Sequence, residues 1–106
     1  MQNKTPYNDQ GLPHGLWELY YNNGNLKQRL TYKNGKLNGP FKIYRLYGGL
    51  SAIGEYIEGR LNGSFIQYHS NGNLWYKGEY VNGEPHGNWI VYHNNGDIDK
   101  QKFYTT

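Results

Sequence analysis

Runs of aromatic and branched residues alternate along the chain with short polar segments that contain asparagine and glycine. The first run covers residues 16–21, and Asn23-Gly24 separates it from a second run at 26–32. Such runs are typical of β-strands, and Asn-Gly favours a tight hairpin because both residues accept a positive φ. The next connection, 33–39, is longer and contains two glycines. Helix signals are absent, so the pattern predicts an all-β protein.

The same pattern recurs every 24 residues, in four copies. One glycine recurs as Gly11, Gly35, Gly59 and Gly83, and a first-strand ring recurs as Trp17, Phe41, Phe65 and Trp89. A closing ring recurs as Tyr32, Tyr56, Tyr80 and Tyr104. A fixed period of this size indicates a repeat architecture. We therefore divide the chain into an N-terminal cap segment, 1–8, and one domain of four units, 9–32, 33–56, 57–80 and 81–104.

Two strands per unit predict a single-layer, twisted antiparallel meander of about eight strands. Alternation in the second strand places Leu26 and Tyr32 on one face with residue 30, a position that is Gly54 and Gly78 in units 2 and 3. A glycine there leaves bare backbone on which a neighbouring ring can lie. We expect a core that consists of a ladder of rings and leucines.

The two edges of such a sheet need protection from pairing with other chains. The last strand, 97–104, is charged at four of its eight positions, and Pro6 interrupts the segment ahead of the first strand. Charges and proline both discourage strand pairing at an edge. We expect a monomer or a weak dimer.

The composition restricts the architecture further. The chain has 106 residues, is 36% hydrophobic, and holds 15 Gly and 12 Tyr, so burial must come largely from rings rather than from a thick core. No cysteine is present, which excludes disulfides and thiolate metal sites. No segment is apolar over a membrane-spanning length, and residues 1–10 lack an apolar signal core. We expect a cytoplasmic protein.

The positive charge is concentrated in the first half of the chain. Residues 1–53 hold seven Lys or Arg against two acidic residues, whereas residues 54–106 hold four against six. Four of the basic residues, Lys27, Arg29, Lys42 and Arg45, cluster around one connection of the sheet. Such a cluster attracts an acidic protein, nucleic acid or an anionic membrane. Binding of nucleic acid or anionic lipid through this half is an alternative function.

No residue pattern predicts an enzyme, a metal site or a cofactor. Ser51, Ser64 and Ser70 do not lie in a nucleophile elbow. His14 and His86 are six strand spacings apart, about 29 Å in a flat sheet, and His69 and His93 are about 10 Å apart. These separations argue against a shared metal ion. We expect a protein without catalytic residues, metal or cofactor.

The elements Gly-x-x-x-Gly-x-(Trp/Phe)-x-x-Tyr, Asn-Gly-x-Leu and Tyr-x-x-Gly resemble the MORN repeat, and the resemblance covers residues 8–104. Segments 11–17 and 83–89 are similar to the bacterial YwqK-type variant, whose members are labelled antitoxins. The resemblance implies a twisted antiparallel ribbon without catalytic activity that binds another protein, such as a toxin. Unit 2 departs from the pattern, since Tyr47-Gly48-Gly49 replaces the Asn-Gly-Asn turn, which leaves its hairpin geometry open.

Positions that differ between units are free to serve a partner, because the fold does not require one residue there. Trp75 takes the place of Lys27, Ser51 and Asp99, and an exposed Trp is a typical binding anchor. The apolar residues particular to unit 2 include Leu46, Tyr47 and Ile53. Packing of Trp75 against Tyr76 or a neighbouring strand, and self-packing of the unit 2 loop, are the alternatives. The predicted partner-binding set is Trp75, Tyr47, Leu46, Ile53, Lys27, Arg29, Lys42 and Arg45.

Overall fold

Ten β-strands form one open antiparallel sheet in a computed structural model, which describes residues 2–105. The strands are β1 Gly15–Tyr20, β2 Leu26–Lys33, β3 Lys36–Leu37, β4 Gly39–Tyr44, β5 Leu50–Ile57, β6 Arg60–Leu61, β7 Gly63–Tyr68, β8 Leu74–Val81, β9 Glu84–Tyr92 and β10 Ile98–Tyr104. The sheet measures 46 × 36 × 11 Å, so it is one layer thick. The predicted single-layer all-β fold is confirmed.

The strands follow one another in the order β1-β2-β4-β5-β7-β8-β9-β10, which is the predicted meander of eight positions. The two additional strands are two-residue segments, β3 beside β2 and β6 beside β5. Asn38 separates β3 from β4, and Asn62 separates β6 from β7. In unit 4 the equivalent segments are continuous and form β9.

The lengths of the two kinds of connection are the reverse of the prediction. The connection at Asn23-Gly24, predicted to be a tight hairpin, is the longer one, and the connection predicted to be longer, 33–39, contains the tight turn. The two-residue turn is Asn34-Gly35, where φ is positive at both residues, 48° and 93°, as a type I′ hairpin requires. At Asn23-Gly24 only the glycine has a positive φ. There the N–H of Tyr21 donates to the Asn25 carbonyl, so the loop is longer, and Asn23 instead accepts from the Asn25 N–H through Oδ1.

A β-bulge follows each of the longer loops and changes one predicted face. In unit 1, Leu19 pairs with Gln28 but Tyr20 pairs with Leu26, which makes Lys27 the extra residue. Leu26 therefore shares a face with Tyr20 and not with Tyr32, contrary to the expected alternation. The extra residues of the four units are Lys27, Ser51, Trp75 and Asp99.

One face of the sheet, here named the ring face, carries the predicted ladder. Phe41 and Phe65 have ring centroids 6.3 Å apart, and Phe65 and Trp89 are 6.4 Å apart. A Cβ at Gly54 would lie 2.7 Å from Phe41 Cε1, and one at Gly78 would overlap the Trp89 indole. The prediction that rings lie on bare glycine backbone is confirmed.

The opposite face, here named the charged face, carries a row of cross-strand neighbours instead of rings. The row consists of Glu18, Arg29, Lys42, Ile53, Ile66, Lys77, Ile90 and Gln101. Glu18 is almost fully buried, with 7% of its surface exposed. The apolar residues that are most deeply buried among residues 2–105, Phe41 and Ala52, belong to the ring face.

The two ends of the sheet differ. At the first end, Lys4 exchanges two backbone hydrogen bonds of 2.8 Å with Glu18, so the segment before β1 pairs with that strand. Pro6 accepts from the Trp17 indole at 2.9 Å, and Tyr7 packs edge-on against Trp17 at 5.4 Å. At the other end, no strand among residues 2–105 pairs with the outer side of β10.

Candidate functional site

The predicted partner-binding residues fall into two groups. Five of them lie at the long edge of the sheet that is formed by the loops 21–25, 45–49, 69–73 and 93–97 and the adjoining bulges, here named the turn edge; they are Lys27, Arg45, Leu46, Tyr47 and Trp75. The other three are direct neighbours in the row of the charged face; they are Arg29, Lys42 and Ile53. The sequence grouped these eight residues into one site, but the fold places five of them at the turn edge and three on the charged face.

A hydrogen bond from each unit to the next builds the turn edge. The donor is the residue after the first strand, and the acceptor is a backbone oxygen 23 residues further on. The three bonds are Tyr21 Oη to Tyr44 at 2.8 Å, Arg45 Nη2 to Tyr68 at 2.6 Å and His69 Nε2 to Tyr92 at 2.8 Å. Sequence analysis missed this link, although every unit has a polar or phenolic donor at that position.

At this position after the first strand, three of the four units have a residue that contacts the bulge residue of its own unit. The ammonium of Lys27 lies 5.6 Å from the centre of the Tyr21 ring, and Nε2 of His93 lies 3.6 Å from Oδ1 of Asp99. In unit 3, Trp75 stacks on His69 with centroids 5.0 Å and planes 20° apart. The residue type at the bulge varies between units, but in these three pairs each bulge residue suits its neighbour: a cation lies beside a ring, a ring stacks on a ring, and a carboxylate lies beside an imidazole.

Trp75 is both packed and accessible. Beside its stack on His69 it meets Tyr76 edge-on at 5.7 Å, which is the packing that the sequence left as an alternative. Even so, 40% of its surface is exposed. The indole therefore presents one side to solvent from a fixed position.

Leu46 and Tyr47 project from the turn of unit 2. The turn has the same backbone hydrogen bonds as the others, from Arg45 N–H to Gly49 and from Gly48 N–H to Arg45, but Gly49 has a positive φ of 85°, unlike the equivalent residues Asn25, Asn73 and Asp97. Tyr47 is 88% exposed and makes no ring contact within residues 2–105. The equivalent residue of unit 1 is Asn23, which donates to the Leu46 carbonyl at 2.9 Å.

Two of the four basic residues in the predicted set are engaged within the protein. Arg29 donates to Oε2 of Glu18 through Nη2 at 2.9 Å and Nε at 3.1 Å. Arg45 is bound to the Tyr68 carbonyl, and its Nε is buried. Lys42 forms no ion pair among the described residues. Fewer cations are therefore available for a phosphate-bearing partner than the sequence suggested.

The charged face has only shallow relief. Three adjoining depressions of about 170, 200 and 230 Å³ run across it, and Pro40, Lys42 and Ile66 line them. They are smaller than typical ligand pockets, which start near 300 Å³. Ile53 and Lys42 thus belong to a nearly flat surface.

Residues 2–105 contain no group of three or more His, Cys, Asp and Glu side chains arranged to bind a metal ion. His14 accepts a hydrogen bond from the Asn34 N–H through Nδ1 at 3.0 Å, and His69 makes the link to Tyr92. These two histidines support turns. The described part of the chain also lacks a helix of the length and apolarity that crossing a membrane requires.

Comparison with known proteins identifies the repeat. A family model described as a MORN repeat variant matches residues 13–34, 61–82 and 85–105, which together make up more than half of the chain. The match omits the segment between residues 34 and 61, which contains the divergent turn of unit 2. No curated protein matches the chain. MORN repeats are binding modules for proteins or membranes rather than enzymes. The chain belongs to the MORN-repeat family, as an array of the variant form of the repeat.

Proposed function

We propose that the protein binds another protein, without catalysis, through Leu46, Tyr47 and Trp75 on the turn edge. The observation that carries this proposal is the ring of Tyr47, which is 88% exposed at a position where the neighbouring unit has an asparagine that holds two units together. The fold gains no contact from this ring. An exposed aromatic residue without a structural role is typical of a binding anchor.

The arrangement of the anchors suits one continuous partner surface. Tyr47 and Trp75 belong to successive units, so two strand spacings, about 10 Å, separate their positions along the turn edge. Leu46, which is 41% exposed, adds apolar area beside Tyr47. Lys27 lies one unit before Tyr47 and two units before Trp75, and it places a cation at the margin of the same edge. Apolar anchors with a charged margin are the usual composition of a protein interface.

The thickness of the sheet supports a mode of action by occlusion. Because the sheet is only 11 Å thick, its turn edge is narrow enough to enter a cleft on a partner. An aromatic side chain at the tip of that edge fills such a cleft and excludes its natural occupant. An antitoxin or immunity protein acts in this way, and the similarity of segments 11–17 and 83–89 to YwqK-type antitoxins agrees with this role.

The test uses substitutions that copy other units and therefore preserve the fold. Tyr47→Asn copies Asn23, and Trp75→Lys copies Lys27. Val81→Lys copies Lys33 at the opposite long edge and is the control, because Val81 is also exposed, at 42%. Proteins captured from the native host are identified and purified, and each is then titrated with the wild type and the three variants.

The expected result is a partner whose affinity falls at least about 10-fold with Tyr47→Asn or Trp75→Lys and is unchanged with Val81→Lys. Equal affinity for all four proteins contradicts the proposed surface. Binding of anionic vesicles or nucleic acid that weakens steeply with salt, and is lost with Lys42→Ile, contradicts the proposed class of partner.

A further inference from the structure

A concave cavity of about 520 Å³ lies at the C-terminal end of the ring face. Its floor consists of Tyr76, Trp89, Val91 and Tyr104, and its rim includes Lys100 and Lys102. This volume lies within the range of about 300–1,000 Å³ that is typical of small-molecule sites. It is more than twice the volume of each depression on the charged face.

The cavity lies where the ring ladder stops. Within the sheet, Phe41 contacts Phe65 of the next unit at 6.3 Å, and Phe65 contacts Trp89 of the next unit at 6.4 Å. At the other end of the ladder, Tyr7 of the N-terminal segment covers Trp17. Trp89 contacts Tyr104 at 6.4 Å, but no first-strand ring among residues 2–105 follows it. The floor of the cavity is therefore an aromatic surface that no further first-strand ring of residues 2–105 covers.

In the two rows of cross-strand pairs nearest the loops, the charged residues on the ring face belong to this cavity. The cross-strand pairs nearest the loops on this face are Leu19–Gln28, Ile43–Ala52, Gln67–Tyr76 and Val91–Lys100. The next pairs are Trp17–Leu30, Phe41–Gly54, Phe65–Gly78 and Trp89–Lys102. Among these sixteen residues, Lys100 and Lys102 are the charged ones, and no carboxylate balances them. The Lys102 ammonium lies 4.9 Å from the centre of the Tyr104 ring, beside the cavity floor.

Protection of the edge strand explains only part of this arrangement. A lysine on the apolar face of an edge strand discourages pairing with another chain, and Lys102 alone meets that need. Lys100 and the open aromatic floor remain unexplained. We propose that this cavity binds a small planar aromatic anion, whose ring stacks on Trp89 and meets Tyr104 edge-on and whose carboxylate or sulfonate lies between the ammonium groups of Lys100 and Lys102.

The three tryptophans allow a direct test with 2-naphthoate as the probe. Each indole N–H gives its own signal in a proton–nitrogen correlation spectrum. Trp17 lies at the opposite end of the sheet and is the reference, whereas Trp75 packs against Tyr76 of the cavity floor. We expect the Trp89 signal to shift and to saturate with a dissociation constant on the order of 1 mM or lower, while the Trp17 signal stays in place. The uncharged isostere 2-naphthamide should bind at least about 10-fold more weakly, because it cannot pair with the lysines.

Substitutions that copy other units test the two lysines. Lys102→Gly reproduces Gly54 and Gly78, Lys100→Gln reproduces Gln28, and Lys77→Gln on the charged face, which reproduces Gln101, removes the same charge as a control. The first two should each weaken 2-naphthoate binding about 10-fold or more, and the control should not. Equal binding of acid and amide by the wild type overturns the proposal, even if a variant fails to fold. A shift of the Trp17 signal equal to that of Trp89 also overturns it, since it indicates non-specific adsorption.

Discussion

The guanidinium of Arg45 donates a hydrogen bond of 2.6 Å to the backbone oxygen of Tyr68, which belongs to the next repeat unit. A phenol and an imidazole make the same link in the units on either side. The link joins the loop of one hairpin to the end of the first strand in the following hairpin. A position that varies in identity therefore has one constant role, which is to hold successive hairpins side by side at the turn edge.

The first prediction concerns the cost of using arginine for this link. Nε of Arg45 is buried and has no hydrogen-bond partner among the described residues, and a buried unpaired N–H is destabilising. Arg45→His copies His69, keeps a ring donor for the Tyr68 oxygen and removes the unpaired group. We expect a free energy of unfolding equal to that of the wild type or up to about 2 kcal/mol higher, measured by urea denaturation followed by tryptophan fluorescence.

Arg45→Ala is the comparison for this measurement. It removes the donor and leaves the Tyr68 oxygen without its partner, so we expect a loss of about 1–2 kcal/mol. If Arg45→His is destabilised as much as Arg45→Ala, the imidazole does not replace the guanidinium in the link, and the role assigned to this position is wrong.

The period made the architecture predictable, whereas the local geometry depended on contacts that the sequence does not show. Asn-Gly occurs both at Asn23-Gly24 and at Asn34-Gly35, so the dipeptide alone does not indicate which turn is the tight one. The register of the flanking strands decides it, and that register contains a bulge at Lys27. The extra residue turns the side chain of Leu26, which precedes it in the strand, to the opposite face. Simple alternation along the strand therefore predicts the wrong face for Leu26.

The candidate surface was predictable only in part for a related reason. Comparison between units singles out Trp75 and Tyr47 as residues that differ from their equivalents, and both are exposed. The same comparison could not separate Arg45, which reaches a backbone oxygen, from Lys42, which forms no ion pair within residues 2–105. A sequence does not show which backbone oxygens accept a side-chain hydrogen bond. A basic residue that binds such an oxygen therefore cannot be distinguished, in the sequence, from a basic residue that is free on the surface.

The second prediction concerns the buried carboxylate of Glu18. Arg29 donates two hydrogen bonds to it, and the Lys4 ammonium lies 3.7 Å from its other oxygen. Glu18→Gln leaves the Arg29 guanidinium without its anion, so we expect a loss of about 1–3 kcal/mol in the free energy of unfolding. Urea denaturation measures it.

A double substitution at the same pair is the control. Glu18→Ile with Arg29→Lys reproduces the cross-strand pair that Ile66 and Lys77 form in unit 3. Because no charge then remains buried, this variant should be more stable than Glu18→Gln. If the double variant is instead less stable than Glu18→Gln, the pairing of charges between residues 18 and 29 does not determine the stability at this position.

The third prediction tests the contact between ring and backbone at Gly54. In Gly54→Ala, the added Cβ would lie 2.7 Å from Phe41 Cε1 and 3.1 Å from Phe65 Cδ1, so both rings must move. We expect a loss of about 1–3 kcal/mol from this overpacking. Phe41→Leu creates space, and the double variant should therefore lose at least about 0.5 kcal/mol less than the sum of the two single losses. Strict additivity in urea denaturation would contradict the proposed overlap.

The fourth prediction is a dependence of stability on pH in the ring ladder. Burial raises the pKa of Tyr80 above its ordinary value of 10.0, and the nearby phenols of Tyr76, Tyr104 and Tyr56 act in the same direction. The folded protein therefore holds this proton more tightly than the unfolded chain does. The stabilisation is complete below the unfolded pKa of about 10 and is lost as the pH rises through the higher pKa of the folded state.

Tyr80→Phe removes the titrating group and keeps the ring in the ladder. Between about pH 9 and about pH 11, its free energy of unfolding should fall by less than that of the wild type, because one of the groups that favour the unfolded chain at high pH is gone. Tyr47→Phe, at the most exposed of the large apolar side chains, is the control and should follow the wild type. If Tyr80→Phe loses as much stability over this interval as Tyr47→Phe does, the buried phenol is not a source of the alkaline instability, and the surrounding rings do not disfavour its ionisation.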